Sequence, residues 1–169
     1  MARTCTLKGK PLTLAGNALK VGDKAPDATL KKSLVDSIKI SDTTGSVRIF
    51  SVVPSLDTPV CAEQTRRFFK SATDLPNVKI FTISCDLPTA MARFCGAESI
   101  DKERMPVLSD HKDAGFGQAW GTLIPDLRIQ SRAVFVVDKN DVIKHVEYVP
   151  EVADHPNYDA VLAAAKKLA

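Results

Sequence analysis

Residues 47–70 constrain this chain more than any other stretch, because they place a buried strand, an abrupt stop and a helix start around one cysteine. Residues 47–53, V-R-I-F-S-V-V, are apolar and rich in β-branched side chains, the pattern of a buried strand. Pro54 ends the run by removing a backbone donor. After a short loop, Thr58 takes the N-cap position and Pro59 the first helical position, where its missing N–H has no intrahelical partner to lose. Cys61 then falls on the third helical position, among unpaired first-turn donors and at the positive end of the helix macrodipole. Such a place favours a thiolate. Bringing a cysteine thiol from about 8.5 to about 6 takes roughly 3.4 kcal/mol. A helix end supplies about 0.3–1 kcal/mol, or about 2 when partly buried, so a cation must come from elsewhere in the chain.

The elements that follow keep the same grammar. Residues 78–84, V-K-I-F-T-I-S, are a second apolar strand, and Asp86-Leu87-Pro88-Thr89 opens a helical stretch, A-M-A-R-F-C, that Gly96 would close as a C-cap. Strand, helix, strand, helix is a βαβ pattern. Further along, residues 106–108 read as a short strand, 112–120 as a helix before Gly121, and 122–131 as a loop without a clear period. Residues 132–137 and 142–149 are strands joined by the hairpin signal D-K-N-D, and 158–168 form an alanine-rich helix. Upstream, residues 6–14 alternate around Gly9 and Lys10 and predict a small β-hairpin. It is too short to stand alone, so residues 1–16 read as an appendage on the main body. Residues 22–30 form a turn-rich segment, and 37–40 a short strand before a turn at 42–45. These readings add up to an α/β fold, a central mixed sheet flanked by helices on both faces. A chain of 169 residues, 44% of them hydrophobic, is the size of one domain with a full core.

Charge and cysteine usage exclude several functions. The net charge is +3, and the basic residues occur at most in pairs such as Lys31-Lys32, Arg66-Arg67 and Lys166-Lys167, which argues against nucleic acid or an anionic membrane as partner. No apolar run approaches the roughly 20 residues of a membrane span, and Lys8 and Lys10 interrupt any signal h-region, so a soluble, cytoplasmic protein is expected. Cys5, Cys61, Cys85 and Cys95 are too few and too far apart for a disulfide framework. No C-x-x-C pair exists and His111, His145 and His155 stand apart, which argues against zinc. Two readings remain: one reactive thiol with or without a partner, or four buried small hydrophobes.

Arg132 opens a strand that is otherwise apolar, and a buried arginine needs a partner. It is the candidate for the cation that Cys61 requires, and a structural salt bridge explains it equally well from local sequence. Thr58 is similarly open: its hydroxyl can cap the helix, face the thiol, or do both. Cys95 lies 34 positions beyond Cys61 on a different helix. A loop of that length, once closed, would stabilise the oxidised chain by about 3.8 kcal/mol if the native geometry accepts the bond. Two sulfurs on separate helices would meet only after local unwinding, so oxidised and reduced forms would differ in conformation. Cys85 reads as a core thiol at a strand end, and nothing near Cys5 in sequence activates it.

Pro54, Thr58 and Cys61, as P-S-L-D-T-P-V-C, carry the P-x-x-x-T-x-x-C signature of the peroxiredoxins. With S-C-D-L-P at 84–88, R-F-C-G-A-E at 93–98 and the N-terminal hairpin, the chain resembles the thiol peroxidase branch of the atypical two-cysteine peroxiredoxins nearly from end to end. The resemblance implies a thioredoxin-like fold, a homodimer, and reduction of hydrogen peroxide and organic hydroperoxides with electrons from thioredoxin. Carried over by position, Cys61 is the peroxidatic cysteine and Cys95 the resolving one, joined in an intramolecular disulfide. Pro54, Thr58 and Arg132 shape the peroxide pocket, and no metal, flavin or haem is required. Cys85 and Cys5 are additional thiols. Three rivals stand beside this reading: a thioredoxin-type disulfide reductase, weakened by the lack of C-x-x-C; a one-cysteine peroxidase with Cys95 in the core; and a non-catalytic binding protein that uses the Cys61–Cys95 disulfide as a redox switch.

Overall fold

The computed structural model describes residues 2–169. Its centre is a seven-stranded mixed sheet in the order β11-β10-β5-β6-β7-β3-β4. The strands are β3 (Thr29–Lys31), β4 (Ser37–Lys39), β5 (Val47–Val52), β6 (Val78–Ser84), β7 (Val107–Ser109), β10 (Ala133–Val137) and β11 (Ile143–Tyr148). β5, β6 and β7 run parallel, and the other neighbouring pairs are antiparallel. Strands buried on both faces need continuous apolar sequence, and β5 and β10 are buried at every position. On one face α1 (Pro59–Asp74), α2 (Pro88–Ala97) and α4 (Tyr158–Leu168) cover Ile49, Val53, Ile80 and Val134; on the other α3 (Gly115–Trp120) covers Phe50, Phe81 and Phe135. The alternation follows from side chains that point to opposite faces at successive strand positions.

The hairpin, β1 (Arg3–Leu7) and β2 (Lys10–Leu14), turns at Lys8 and Gly9, both with positive φ (51° and 77°), as a tight two-residue connection requires. It packs Cys5 and Leu14 against Ile124 and Val152.

Four elements depart from expectation. The helix carrying Cys95 does not stop at Gly96 but continues to Ala97, and Ser99 takes the left-handed position with φ 55°. Ser99 N–H donates to the Gly96 carbonyl and Ile100 N–H to the Cys95 carbonyl, a closure completed by burial of Ile100. Ile100, buried two places past the cap residue Glu98, decided the stop, not the glycine. α3 begins only at Gly115 because the Asp110 carboxylate accepts from Phe116 N–H and Gly117 N–H and takes the role of a cap, while Ala114 sits at φ 51°. Residues 122–131 are not a plain loop: β8 (Leu123–Ile124) and β9 (Ile129–Gln130) pair across a turn with Arg128 at φ 56°. Two-residue strands carry no visible alternation. β3 lies inside the segment 22–30 and its edge, and owes its place to pairing with β4 and β7.

Candidate active site

Parallel β5 and β6 end side by side. Val53 N–H still donates to the Ile83 carbonyl at 2.9 Å, and Pro54, buried and without a donor, takes the chain off the sheet. Thr58 is the N-cap residue of α1 and Pro59 its first residue, which puts Cys61 in the first turn. The Thr58 side chain makes no cap bond. Its hydroxyl is exposed and donates to the Ser55 carbonyl at 3.1 Å, so neither expected use is seen: it closes the turn that leads into the helix.

The Cys61 thiol has no exposed surface. On β10 the register Ala133↔Val52 brings Arg132, the residue just before the strand, to the sheet end from which α1 departs. Its guanidinium meets the sulfur: Arg132 Nη2 donates to Cys61 Sγ at 3.2 Å, Nη1 to Gln64 Oε1 at 2.8 Å and Nε to the Val152 carbonyl at 2.9 Å. Arg132 is 2% exposed, and no carboxylate pairs with it among the described residues. The structural salt bridge that local sequence allowed is absent. A buried guanidinium held by two neutral acceptors and a thiol lacks a counter-charge unless the sulfur supplies it.

Two further residues shape the site and were not singled out in the sequence. Gln64, one turn after Cys61 on the same buried helix face, bridges Arg132 to β5: its Nε2 donates to Ser51 Oγ at 2.7 Å. A polar residue on the buried stripe of an amphipathic helix was the available signal. Asp86, between β6 and α2, accepts from Ser55 Oγ (2.8 Å), Leu56 N–H (2.8 Å) and Ser84 Oγ (2.6 Å), which pins the loop before Cys61 to the segment that starts the Cys95 helix. Nothing local in sequence predicts that contact.

The remaining cysteines sit apart from this cluster of partners. None of the four is in a disulfide. Cys95 is 1% exposed, packed on α2 in the same apolar cluster that holds Cys61, and burial pushes its thiol up. A groove of about 680 Å³ separates the first turn of α1 from α2, lined by Thr58, Ala62 and Arg66 on one side and Ala90, Phe94 and Ala97 on the other. Cys5 is a buried hairpin thiol whose pKa is raised, first by burial and then by Glu151. Cys85 is only partly buried, 3.5 Å from Gln130 Nε2; desolvation, then the Asp110 charge, raise its thiol to about 11. At pH 8 it therefore stays protonated, and iodoacetamide should modify it on the order of 100-fold more slowly than a free cysteine. Peptide mass spectrometry of the reduced native protein, timed after reagent addition, gives that rate directly.

The family described as Redoxin matches residues 20–162. The thiol peroxidase of Oceanobacillus iheyensis is 54% identical over 162 residues, 96% of this chain and 98% of that protein. The thiol peroxidase of Bacillus subtilis is 49% identical over 163 residues, 96% of each. A crystal structure of a peroxiredoxin-like protein from Aquifex aeolicus superposes with a TM-score of 0.91 at 38% identity, over 100% of this chain and 99% of that one. The mixed sheet with helices on both faces is thus the thioredoxin-like arrangement expected, and no helix among the described residues is long and apolar enough to cross a membrane.

Proposed function

The chain belongs to the redoxin family and, within it, to the thiol peroxidases, and from that premise we propose that Cys61 is the thiol that attacks the peroxide, Arg132 the cation that activates it, and Cys95 the thiol that resolves the product. The protein reduces a hydroperoxide at the expense of a thiol, which sets aside the non-catalytic switch. The observation that carries the assignment of roles is the contact between Arg132 Nη2 and Cys61 Sγ at 3.2 Å, made by a buried cation with no carboxylate partner.

The Cys61 thiolate attacks the terminal peroxide oxygen. A sulfur–oxygen bond forms as the oxygen–oxygen bond breaks, and the leaving oxygen departs with the electron pair and takes up a proton as water or an alcohol. Arg132 serves twice, holding the sulfur as an anion before attack and stabilising charge as it moves to the leaving oxygen. Ahead of the first intrahelical bond, from Ala62 N–H to the Thr58 carbonyl, the Val60 and Cys61 N–H groups are left as further donors for the peroxide oxygens. Because the thiol has no exposed surface, peroxide reaches it when the exposed lip at Asp57, Thr58 and Pro59 yields; Thr58 and Pro54 shape that lip and its base.

Cys61 is left as a sulfenic acid. The Cys95 thiol condenses with it, releasing water and forming an intramolecular disulfide, and a dithiol restores both thiols by exchange. Buried and held protonated, Cys95 is no nucleophile where it stands. It becomes one when α2 unwinds, and the groove between the two helices leaves room for that. The resemblance in motifs supports thioredoxin as the dithiol, a homodimer and a cytoplasmic setting.

The test is one equivalent of hydrogen peroxide added to the fully reduced protein, followed by disulfide mapping by mass spectrometry. A Cys61–Cys95 link within one chain is expected, and Cys95→Ser should trap the sulfenic acid and its over-oxidised products instead. A Cys61–Cys85 link, or one between chains, would remove Cys95 from the resolving role.

A further inference from the structure

The N-terminal hairpin reaches the site through one carbonyl. Arg132 Nε donates to the Val152 carbonyl, and that carbonyl is held by what surrounds it. Val152 N–H donates to the Thr6 carbonyl at 2.8 Å and Thr6 N–H to the Pro150 carbonyl at 2.8 Å, so β1 runs alongside residues 150–152 as an extra strand would. The Val152 side chain is 2% exposed, set among Cys5, Leu14 and Ile124.

Glu151, immediately before Val152, fastens the two together. One carboxylate oxygen accepts from Thr6 Oγ1 (2.7 Å) and Gly9 N–H (3.1 Å), the other from Lys8 N–H (2.9 Å) and Ala153 N–H (3.1 Å). Four donors, with Thr6 the strongest, draw this carboxyl down to about 2, so it is charged at any pH at which the protein works. Three of those donors belong to the hairpin and the fourth to the segment that aims Arg132. Exposed carboxylates are common; one that spends its lone pairs on four donors from two segments fixes their relative position.

We infer that Glu151 and the hairpin it grips are positioning elements for the Arg132 guanidinium: they hold the Val152 carbonyl where it orients Nε, and thereby aim Nη2 at the Cys61 sulfur. The inference rests on the roles of Cys61 and Arg132 proposed above. Geometry makes the dependence specific. A planar guanidinium with three separate contacts is aimed by all three, and moving one acceptor rotates the other two donors. Other titratable groups face the two ends of this arrangement: Cys5 of the hairpin, raised by burial and then by the Glu151 charge, and Tyr158 on α4, raised by burial and lying near Arg132, Cys61, Arg67 and Glu63; the Tyr158 hydroxyl bonds to His155 and not to Glu151.

The measurement is the rate at which iodoacetamide alkylates Cys61 in the reduced protein across pH, with peroxide consumption in parallel. Glu151→Ala should move the midpoint of the alkylation pH profile up by about one unit, which on the acid limb below that midpoint slows alkylation by about tenfold. Thr6→Val, which removes one donor and leaves the other hairpin contacts from Arg3 and Ala15 in place, should act in the same direction by about threefold. In an Arg132→Met background both effects should vanish to within about twofold, because no guanidinium is left to aim. Asp141→Asn, which weakens the Arg48 pair where β5 begins, serves as a destabilised control and should leave the profile in place. Unchanged alkylation in both hairpin variants, an equal loss in the Arg132→Met background, or the same shift in Asp141→Asn would overturn the inference. If Glu151→Ala does not fold, Thr6→Val decides. Should alkylation behave as stated while peroxide is not consumed, the peroxidase reading falls and the positioning role stands.

Discussion

Cys61→Ser is expected to lower peroxide consumption by at least about 10⁴-fold, to the background of the reductant alone. Serine keeps the first-turn position and nearly the volume, so the packing around residue 61 should survive; what goes is an atom that ionises near neutral pH and attacks oxygen readily. The expected protein folds with a thermal midpoint within a few degrees of the parent and is inert to hydroperoxide. Coupled consumption of a dithiol, followed with hydrogen peroxide and an organic hydroperoxide, measures the loss. Consumption unchanged by the substitution would end the assignment of Cys61, whatever the other three thiols were doing.

The second large effect belongs to Arg132. Replacing it with methionine, which keeps the apolar stem in a site that is 2% exposed, removes the only cation in contact with the sulfur among the described residues. Loss of a charge-stabilising donor of this kind costs about 10²–10³-fold in rate. The fall should appear in the second-order rate with peroxide and in alkylation of Cys61, since both need the thiolate. Resolution by Cys95, a later step, should be untouched once a sulfenic acid has formed. Arg132→Lys should recover no more than about tenfold, because an ammonium cannot span Cys61, Gln64 and Val152 together and loses its own charge readily when buried. Stopped-flow mixing with peroxide separates these steps. Equal rates in the parent and Arg132→Met would leave the helix terminus to act alone, against its limit of about 2 kcal/mol.

Most of the elements were legible because their signals are local. Residues 78–84 and 158–168 were read at the bounds the structure has, one from a mostly apolar strand pattern, the other from its alanine content; the structure adds the Asn157 side chain as the cap that starts the helix. The start of α1 was readable for the same reason, since Thr58-Pro59 admits few other conformations. Gly96 misled because a glycine permits a helix stop without requiring one, and burial of Ile100 two residues past the cap settled the matter. Residues 122–131 misled because two-residue strands exist only through their pairing.

The same division runs through the site. Sequence alone determined that Cys61 stands on the first turn of a helix, that the dipole there falls short of ionising a thiol, and that Arg132 needs a partner, because each of these follows from neighbours along the chain and from the cost of burying charge. Only the tertiary structure decided that the two are one contact. It also recruited Gln64 through Ser51, turned the Thr58 hydroxyl to Ser55, anchored the Cys61 loop on Asp86, and brought the hairpin to Val152 behind Arg132. Thr6 and Glu151, which fasten that hairpin, lie 145 positions apart; what joins such partners is strand register and the demand that every buried donor and acceptor find a mate, and neither is written in any single stretch of residues.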